Sequence, residues 1–329
     1  KFSKNKFTIK KSEKYGSLPA LTNLPIIDLQ KIKTKVFEGD IYLNEDLIIK
    51  EKTKVLPGTT FHLDEGISII FKNRLNAIGT KNQPITFKSR NKNQFWGTLA
   101  LFGNNSKGSK LKNIIIENAS GTKKNITTFF SALSIHSTKN IKIENVYMKN
   151  NADYDDMIHI IYCENIKILN TKIENSFGDA IDVDLSENIT FDNVEILNSK
   201  NDGLDFMESN AIIRNSKISF SGDKGISVGE NSNIKIYNSK IKFSDIGLAS
   251  KDHSKAYVYN SLLENNNTQL SVYKKNWRYK SSGEIISIRN KLNNKNKNEI
   301  VSKNNGLIIL EKNEISKTIN LDGKNIIIK

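Results

Sequence analysis

The chain has 329 residues, of which only 37% are hydrophobic. It is longer than an ordinary domain, yet its low apolar content excludes a thick globular core and fits an array of repeats. Lysine and arginine total 50 against 35 acidic residues, and the net charge of +15 would attract polyanions, although scattered lysines can also reflect an AT-rich genome. One cysteine, Cys163, excludes an intrachain disulfide, and no apolar run predicts a membrane span.

Residues 1–36 are predicted to form an irregular N-terminal cap. Pro19 and Pro25 interrupt a weakly apolar segment, and Ile26 to Lys33 could form a short helix that covers the open end of a stack of strands. No apolar core follows Lys1, so the start does not resemble a signal peptide. A leader that had been removed would leave the same sequence.

Short strands with alternating apolar residues begin near Phe37 and recur to about residue 290. Five of them align at spacings of 22 or 23 residues and begin at Met157, Ala180, Gly203, Gly225 and Gly247. The alternation predicts strands with one buried and one wet face. A period of this size predicts a solenoid in which each coil contacts only its neighbours.

An asparagine recurs in each repeat at steps of 22 to 27 residues. The column consists of Asn118, Asn145, Asn170, Asn193, Asn215, Asn238 and Asn260. Asparagine tolerates the left-handed backbone region, and stacked amides can bond to one another. The pattern predicts an all-β, right-handed parallel β-helix with about 22–27 residues per coil and an asparagine ladder. The alternative, a leucine-rich-repeat horseshoe, needs a Leu-x-x-Leu-x-Leu consensus that is absent.

The first coils resemble a known family. Val55-Leu-Pro-Gly-Thr-Thr-Phe-His-Leu, Leu75-Asn-Ala-Ile-Gly-Thr and Phe95-Trp-Gly-Thr-Leu are similar to the opening of bacterial β-helix proteins of the pectin-lyase-like superfamily. The β-helix regions beside spore-coat-type kinase domains in bacterial surface proteins have a similar pattern, but no kinase motif is present. The resemblance covers residues 37–290 and implies the fold. It does not imply one activity, because the superfamily holds lyases, hydrolases, epimerases and non-catalytic modules.

Residues 291–329 are predicted to form a loop and terminal strands. Asn293 to Asn298 contain no apolar side chain and indicate a solvated loop. The apolar runs after Gly306 and Asn325 predict strands, either a last coil or an edge.

The candidate site lies on the wet face of the aligned strands. Ile181 and Val183 alternate inward, so Asp182 and Asp184 point outward. Asp205 stacks on Asp182, with His159 in the preceding coil and Ser227 in the following one; at the strand edge, Asp179 stacks on Asp202 and Lys224 follows. Carboxylates stacked at ~4.8 Å repel each other. Asp179, Asp202 and Asp223 fit ordinary turn usage, but Asp182, Asp184 and Asp205 lie within strands, where aspartate is disfavoured.

Two arrangements would make such a cluster tolerable. A hard cation, predicted to be calcium, could bind Asp179, Asp182, Asp184, Asp202 and Asp205. Alternatively, one carboxyl group has a raised pKa, as general acid or base catalysis requires. No organic cofactor is expected.

The resemblance implies roles for these residues. Pectin-lyase-like enzymes bind acidic sugars on a parallel sheet, often with calcium on aspartates and a basic residue as the base. This implies His159, Asp182, Asp205 and Lys224 as catalytic residues, and Asp184, Lys251, Tyr273 and Trp277 as substrate-binding residues. The Asp-Pro-His-Asp string of mannuronan epimerases is absent, which argues against epimerisation.

The sequence therefore predicts a secreted or cell-surface protein that engages an acidic polysaccharide, with cation-assisted β-elimination as the expected chemistry. A non-catalytic glycan-binding or cell-envelope scaffold module is the alternative. Nucleic-acid binding would rest on net charge alone, because no recognition motif is visible.

Overall fold

The computed structural model describes residues 34–124, 127–152, 156–293, 298–317 and 319–329. The predicted cap helix at Ile26 to Lys33 lies outside these residues. Within them, no helix is long and apolar enough to cross a membrane.

The chain winds into coils of three short strands, and each strand pairs in parallel with its counterpart in the next coil. The predicted all-β parallel β-helix is thereby confirmed. One face, here called the site sheet, contains β3 (Leu47–Ile49), β6 (Ile69–Phe71), β9 (Leu99–Phe102), β13 (Ser131–His136), β15 (Asp156–Ile161), β18 (Ile181–Asp184), β21 (Leu204–Met207), β24 (Lys224–Gly229), β27 (Ile246–Lys251), β30 (Thr268–Tyr273), β33 (Asn298–Ser302) and β36 (Ile319–Asp322).

The other two faces are joined, because β10 and β14 bend and run through both of them. The second sheet contains β1 (Lys35–Phe37), β4 (Thr53–Val55), β7 (Leu75–Ile78), β10 (Lys110–Glu117), β14 (Lys142–Lys149), β16 (Lys167–Leu169), β19 (Ile189–Asp192), β22 (Asn210–Arg214), β25 (Asn233–Tyr237), β28 (Lys255–Tyr259), β31 (Glu284–Ile288), β34 (Leu307–Glu311) and β37 (Ile326–Ile328). The third sheet contains the ends of β10 and β14 with β2 (Asp40–Leu43), β5 (Thr60–Leu63), β8 (Ile85–Ser89), β17 (Lys172–Ser176), β20 (Glu195–Ser199), β23 (Lys217–Ser221), β26 (Lys240–Lys242), β29 (Leu262–Glu264), β32 (Lys291–Asn293) and β35 (Glu314–Ile315).

Strands of this stack begin at Lys35 and continue through Ile328, so the terminal strands expected after residue 290 are further coils. Most coils step by 22 or 23 residues, as between Asp202 and its neighbours. Loops lengthen three coils: the step is 30 residues from β6 to β9, 34 from β9 to β13 and 30 after β30. The coil from β9 to β13 contains an antiparallel pair, β11 (Thr122–Lys124) and β12 (Thr127–Phe129). Among the described residues, one 3-10 turn is found, at Asn104–Ser106.

The core is a thin column of aliphatic side chains that alternate inward along each strand. Ile181 and Val183 of β18 are fully buried, as are the inward residues of β21, and an aromatic stack of Phe61 and Phe87 fills the first coils. Their ring centroids are 4.7 Å apart and nearly parallel. This confirms the inward and outward assignment on which the predicted site depends.

The asparagine ladder exists, but it forms two columns rather than one. The predicted residues from Asn145 to Asn260 share one column with positive φ values, and Asn193 donates to the Asn170 side chain at 2.8 Å. Assigning Asn118 to this column was wrong. Its partner is Asn150, at 3.2 Å, because β10 and β14 pair Glu117 with Lys149. The second column consists of Asn118, Asn150, Asn175 and Asn198.

The ladder is also exposed rather than buried. The side chains of Asn193 and Asn215 face solvent, and Asn215 donates to Asp192 instead of to another asparagine. What these residues share is a left-handed backbone at the bend between two strands.

Buried serines form ladders that the sequence analysis missed. Ser216 Oγ accepts the Val194 N–H at 3.1 Å, and Ser239 Oγ accepts the Ser216 N–H at 3.2 Å. A parallel column connects Cys163, Ser186, Ser209 and Ser232. Each hydroxyl therefore ties one coil to the next inside the core. The repeated Asn-Ser pairs at 215–216, 238–239 and 260–261 were the available signal.

Candidate functional site

One outward column of the site sheet carries three of the four predicted catalytic residues, His159, Asp182 and Asp205, whereas Lys224 lies at the edge of the sheet. From β9 to β30 the column reads Ala100, Ser134, His159, Asp182, Asp205, Ser227, Ala249 and Ser271. The ionisable residues thus occupy three successive strands, and small residues flank them on both sides. This is the stacking that the repeat alignment predicted.

His159 lies against two carboxylates. Its Nε2 atom is 3.4 Å from Asp184 Oδ2 and 3.9 Å from Asp182 Oδ2. Facing ligand atoms of the three side chains lie within 4.8 Å of one another. His159 is only 8% exposed, whereas both aspartates are half-buried and reach the surface.

His136 supports His159 from the preceding strand, and the sequence analysis did not single it out. The two rings meet edge to face with centroids 4.9 Å apart, and Phe129 packs 5.1 Å from His136. Burial, with a smaller contribution from His159, lowers the pKa of His136 to about 3. His136 is therefore neutral near pH 7 and serves as an uncharged wall of the cluster.

Asp179 and Asp202 are built into the backbone at the edge of the site sheet. Asp179 Oδ1 accepts the Asp202 N–H at 2.7 Å, and Asp202 Oδ1 accepts the Lys224 N–H at 2.8 Å. Burial raises the pKa of Asp202 to about 6, while Lys224 opposes this and Asp205 adds to it. Asp202 is 2% exposed and its Oδ1 atom is already bonded, and Asp179 shares this geometry. Even so, one carboxylate oxygen from each of Asp179, Asp202 and Asp205 lies within 4.8 Å of the other two, so these predicted ligands form a second group that could hold a cation.

Both predicted lysines are held by carboxylates. Lys224 Nζ lies 3.4 Å from Asp202 Oδ1 and also bonds to Asp223, while Lys251 Nζ lies 3.9 Å from Asp205 Oδ1. Burial alone would lower the pKa of each amine, but the facing carboxylates outweigh it and raise the pKa of both lysines. Protonated lysines cannot accept a proton, so this geometry disfavours Lys224 as the catalytic base.

Lys251 lies along the sheet because residue 229 has no side chain. A Cβ atom at Gly229 would stand 2.4 Å from Lys251 Cε. Met207 and Gly229 share a register position, as do Lys251 and Tyr273, so the lysine reaches back over Gly229 toward Asp205. Sequence analysis missed this role for the glycine.

Tyr273 and Trp277 lie farther along the solenoid. Tyr273 is half-buried, and its pKa is raised, mainly by burial and against the effect of Lys224 and Lys251. It stands five strand steps from His159, or ~24 Å. Trp277 is 84% exposed, and no described contact brings it to the His159 cluster.

The loop that carries Trp277 forms a strap beside the site sheet. Asp252 Oδ1 accepts the N–H groups of Lys275 and Asn276 at 2.7 and 2.8 Å. Tyr279 donates its hydroxyl to Glu208 Oε1 at 3.0 Å. Because Glu208 follows β21, the strap passes the ends of β27 and β24 and walls one side of the sheet.

Comparisons with known proteins can now be set beside this geometry. Residues 156–321 match the family model for the right handed beta helix region. The chain belongs to this family. No curated protein matches.

Several solved structures share the β-helix fold with this family member. The periplasmic alginate epimerase AlgG is 12% identical, covering 88% of this chain and 78% of its own, with a TM-score of 0.53. The alginate lyase AlyF-OU02, a complex with G6, is 11% identical over 90% and 84%, with a TM-score of 0.51. A rhamnogalacturonan lyase is 13% identical over 79% of each chain, with a TM-score of 0.50. At such identities these likenesses show the fold alone, a right-handed parallel β-helix.

Proposed function

We propose that the site sheet binds an acidic polysaccharide outside the cell and cleaves it by β-elimination. The observation that carries the proposal is the grouping of His159 with Asp182 and Asp184 next to two lysines held in their charged form. Between β9 and β30 the column contains only alanine and serine before His159 and after Asp205, which leaves room for a chain of sugars lying across the coils.

A cation is needed to bring a uronate to these carboxylates, because two negative groups in contact repel. Asp182 and Asp184 fit this role, since both reach the surface and their oxygens are the ligands that calcium prefers. Asp205 can contribute a further oxygen beside Lys251. When bound, calcium would neutralise the uronate carboxylate and make the neighbouring C5 proton more acidic.

His159 is the proposed proton acceptor. Its Nε2 atom faces the carboxylates where the sugar acid would bind, and histidine is the side chain that most often acts as a general base. The C5–H proton moves to Nε2, its electron pair forms the C4–C5 double bond, and the C4–O4 bond breaks. The departing oxygen takes a proton from solvent. Lys251 remains protonated and attracts the polyanion.

Additional sugar units would extend toward β30. Tyr273 lies in register with Lys251, and the exposed Trp277 ring on the strap offers a surface on which a sugar ring can stack. These two residues are proposed to bind substrate away from the bond that is cleaved.

The second candidate is a non-catalytic glycan-binding module. It is favoured by one observation. Lys224 is paired with Asp202 and Lys251 with Asp205, so neither lysine can accept a proton, and neither can act as a second base beside His159.

One set of measurements separates the two functions. The protein is mixed with polymannuronate, polyguluronate or polygalacturonate plus calcium, and the ultraviolet absorbance of the unsaturated product is followed with parallel calorimetric binding. For a lyase, the parent forms product, His159→Gln binds without turnover, and Asp182→Asn loses both. The control is Lys167→Gln, on the second sheet.

Other outcomes contradict the proposal at different levels. Binding that needs Asp182 but yields no product from any uronan leaves the non-catalytic module. Binding that is equal or tighter in Asp182→Asn, and that disappears near 0.1 M salt where the screening length is about 10 Å, indicates diffuse attraction to net charge and refutes both functions.

A further inference from the structure

The outward surface of the second sheet changes character along the solenoid. One of its columns reads Lys167, Thr190, Ile212, Lys235, Tyr257, Ile286, Ile309 and Ile327. The adjacent column reads Asp192, Arg214, Tyr237, Tyr259, Ile288 and Glu311. Polar residues predominate up to β25, and from β28 onward every position of the two columns except Glu311 is aromatic or aliphatic. We call Tyr257, Tyr259, Ile286, Ile288, Ile309 and Ile327 the apolar panel.

The panel departs from what a solvated sheet face requires. Outward positions of a strand with one buried face are normally polar, and contiguous exposed apolar patches mark interaction surfaces. These side chains are half-buried or exposed, and Ile327 is 44% exposed.

Opposite charges flank the aromatic and aliphatic part of the second column. Arg214 lies two strands before Tyr259, and Glu311 lies two strands after it. Tyr237 and Tyr259 stack between them with centroids 5.0 Å apart. At the border of the panel Lys255 forms an ion pair with Glu284 at 3.0 Å. The charges of these two residues therefore offset each other.

We propose that the apolar panel is the interface between two copies of this chain, packed with their solenoid axes antiparallel. The two-fold axis lies in the plane of the panel and passes through Tyr259. Reversal about this point places Arg214 opposite Glu311 of the second copy, Tyr237 opposite Ile288, and Tyr259 opposite itself. A parallel arrangement would instead stack like charges, so the ordering of charges selects the antiparallel one.

The dimensions predict a reversible dimer. The panel and its charged ends, from β22 to β34, span four strand steps, or ~19 Å, and five residues of each strand cover ~16 Å. Such a footprint, about 300 Å² on each copy, is well below the ~800 Å² per partner of a standard specific interface, so the dimer is expected to be weak and to form at high protein concentration. The interface lies on the second sheet and leaves the site sheet open, so it does not depend on the proposed function.

A charge swap tests the pairing directly. Sedimentation velocity is measured over a concentration series for the parent, Arg214→Glu, Glu311→Arg and the double variant. The parent should dimerise with rising concentration, each single variant should weaken association at least ~10-fold, and the double variant should recover it. Lys167→Glu, a charge reversal on the same sheet outside the panel, should leave association unchanged.

A cysteine at the axis tests the register independently. Tyr259→Cys should form a disulfide-linked dimer on mild oxidation, because residue 259 faces its own counterpart, and Lys167→Cys should not. The native Cys163 is buried and does not interfere. The proposal is overturned by a parent that stays monomeric at every concentration, by a double variant as weak as the singles, or by a dimer that Tyr259→Cys fails to cross-link.

Discussion

Burial acts differently on each ionisable side chain of the site sheet, although many of them look alike in the sequence. It keeps His136 neutral and raises the pKa of Asp202, whereas the facing carboxylates hold Lys224 and Lys251 in their charged form. The alternation of the strands predicted which aspartates face outward. It could not predict these charges, because they depend on neighbours one or two coils away.

The first prediction concerns Asp182 and calcium. Calcium that binds only the folded protein stabilises it by about 2.7 kcal/mol at 100 times its dissociation constant, which should raise the melting temperature by several degrees. Asp182→Asn removes a ligand and should abolish the shift. Asp64→Asn, far from the cluster, should preserve it. A parent whose melting temperature is the same with calcium and with chelator would remove the cation from the proposal.

The second prediction concerns His136 and acid. The pKa of His136 is about 3 in the folded protein, below its usual value near 6.5, so the unfolded chain binds the proton first as pH falls. Stability from this group is complete above pH ~6.5 and declines toward pH ~3, by about 2 kcal/mol at pH 5. His136→Phe should flatten this decline in denaturant unfolding measured from pH 7 to 4. His253→Gln, an exposed histidine, should follow the parent; identical slopes for His136→Phe and the parent would contradict the prediction.

At the scale of the strand and turn, the sequence predicted the bends better than it predicted what stabilises them. Recurring asparagines marked the left-handed turns, but spacing alone merged Asn118 with the wrong column, because β10 and β14 each bend at one asparagine and end just before a second. The buried serine ladders carry the hydrogen bonds that we had assigned to asparagine amides. The sequence gives little indication that the serine after each asparagine is buried, because serine is also common at exposed turns.

The third prediction compares the two kinds of ladder. Ser216→Ala leaves the buried Val194 N–H without its acceptor and should cost about 1–3 kcal/mol. Asn215→Leu loses only an exposed bond and must hold a left-handed backbone, which costs about 1–2 kcal/mol. Asn215→Gly, which tolerates that backbone, should unfold close to the parent. Denaturant midpoints rank the three; an Asn215→Gly variant as unstable as Ser216→Ala would show that the exposed amide matters more.

At the scale of the whole solenoid, the repeat length determined nearly everything that could be predicted. A constant step places residue n above its counterpart in the next coil, which is why the stacking of His159, Asp182 and Asp205 followed from the sequence alone. Residues in loops do not follow this constant step. The position of Trp277 and the tie between Tyr279 and Glu208 could not be predicted, because a loop follows no period.

The hydrogen bond between Tyr279 and Glu208 fixes the number of coils in one part of the solenoid. In evolution a solenoid can gain or lose a complete turn with little disturbance, since every turn meets only the one before and the one after. Between Glu208 and Tyr279 a turn cannot be inserted in this way. The strap has a fixed length, and an added turn would separate the Tyr279 hydroxyl from the Glu208 carboxylate. The number of turns separating β21 from β30 is thereby locked, and with it the spacing of Asp205 from Tyr273, while growth or shortening remains open elsewhere.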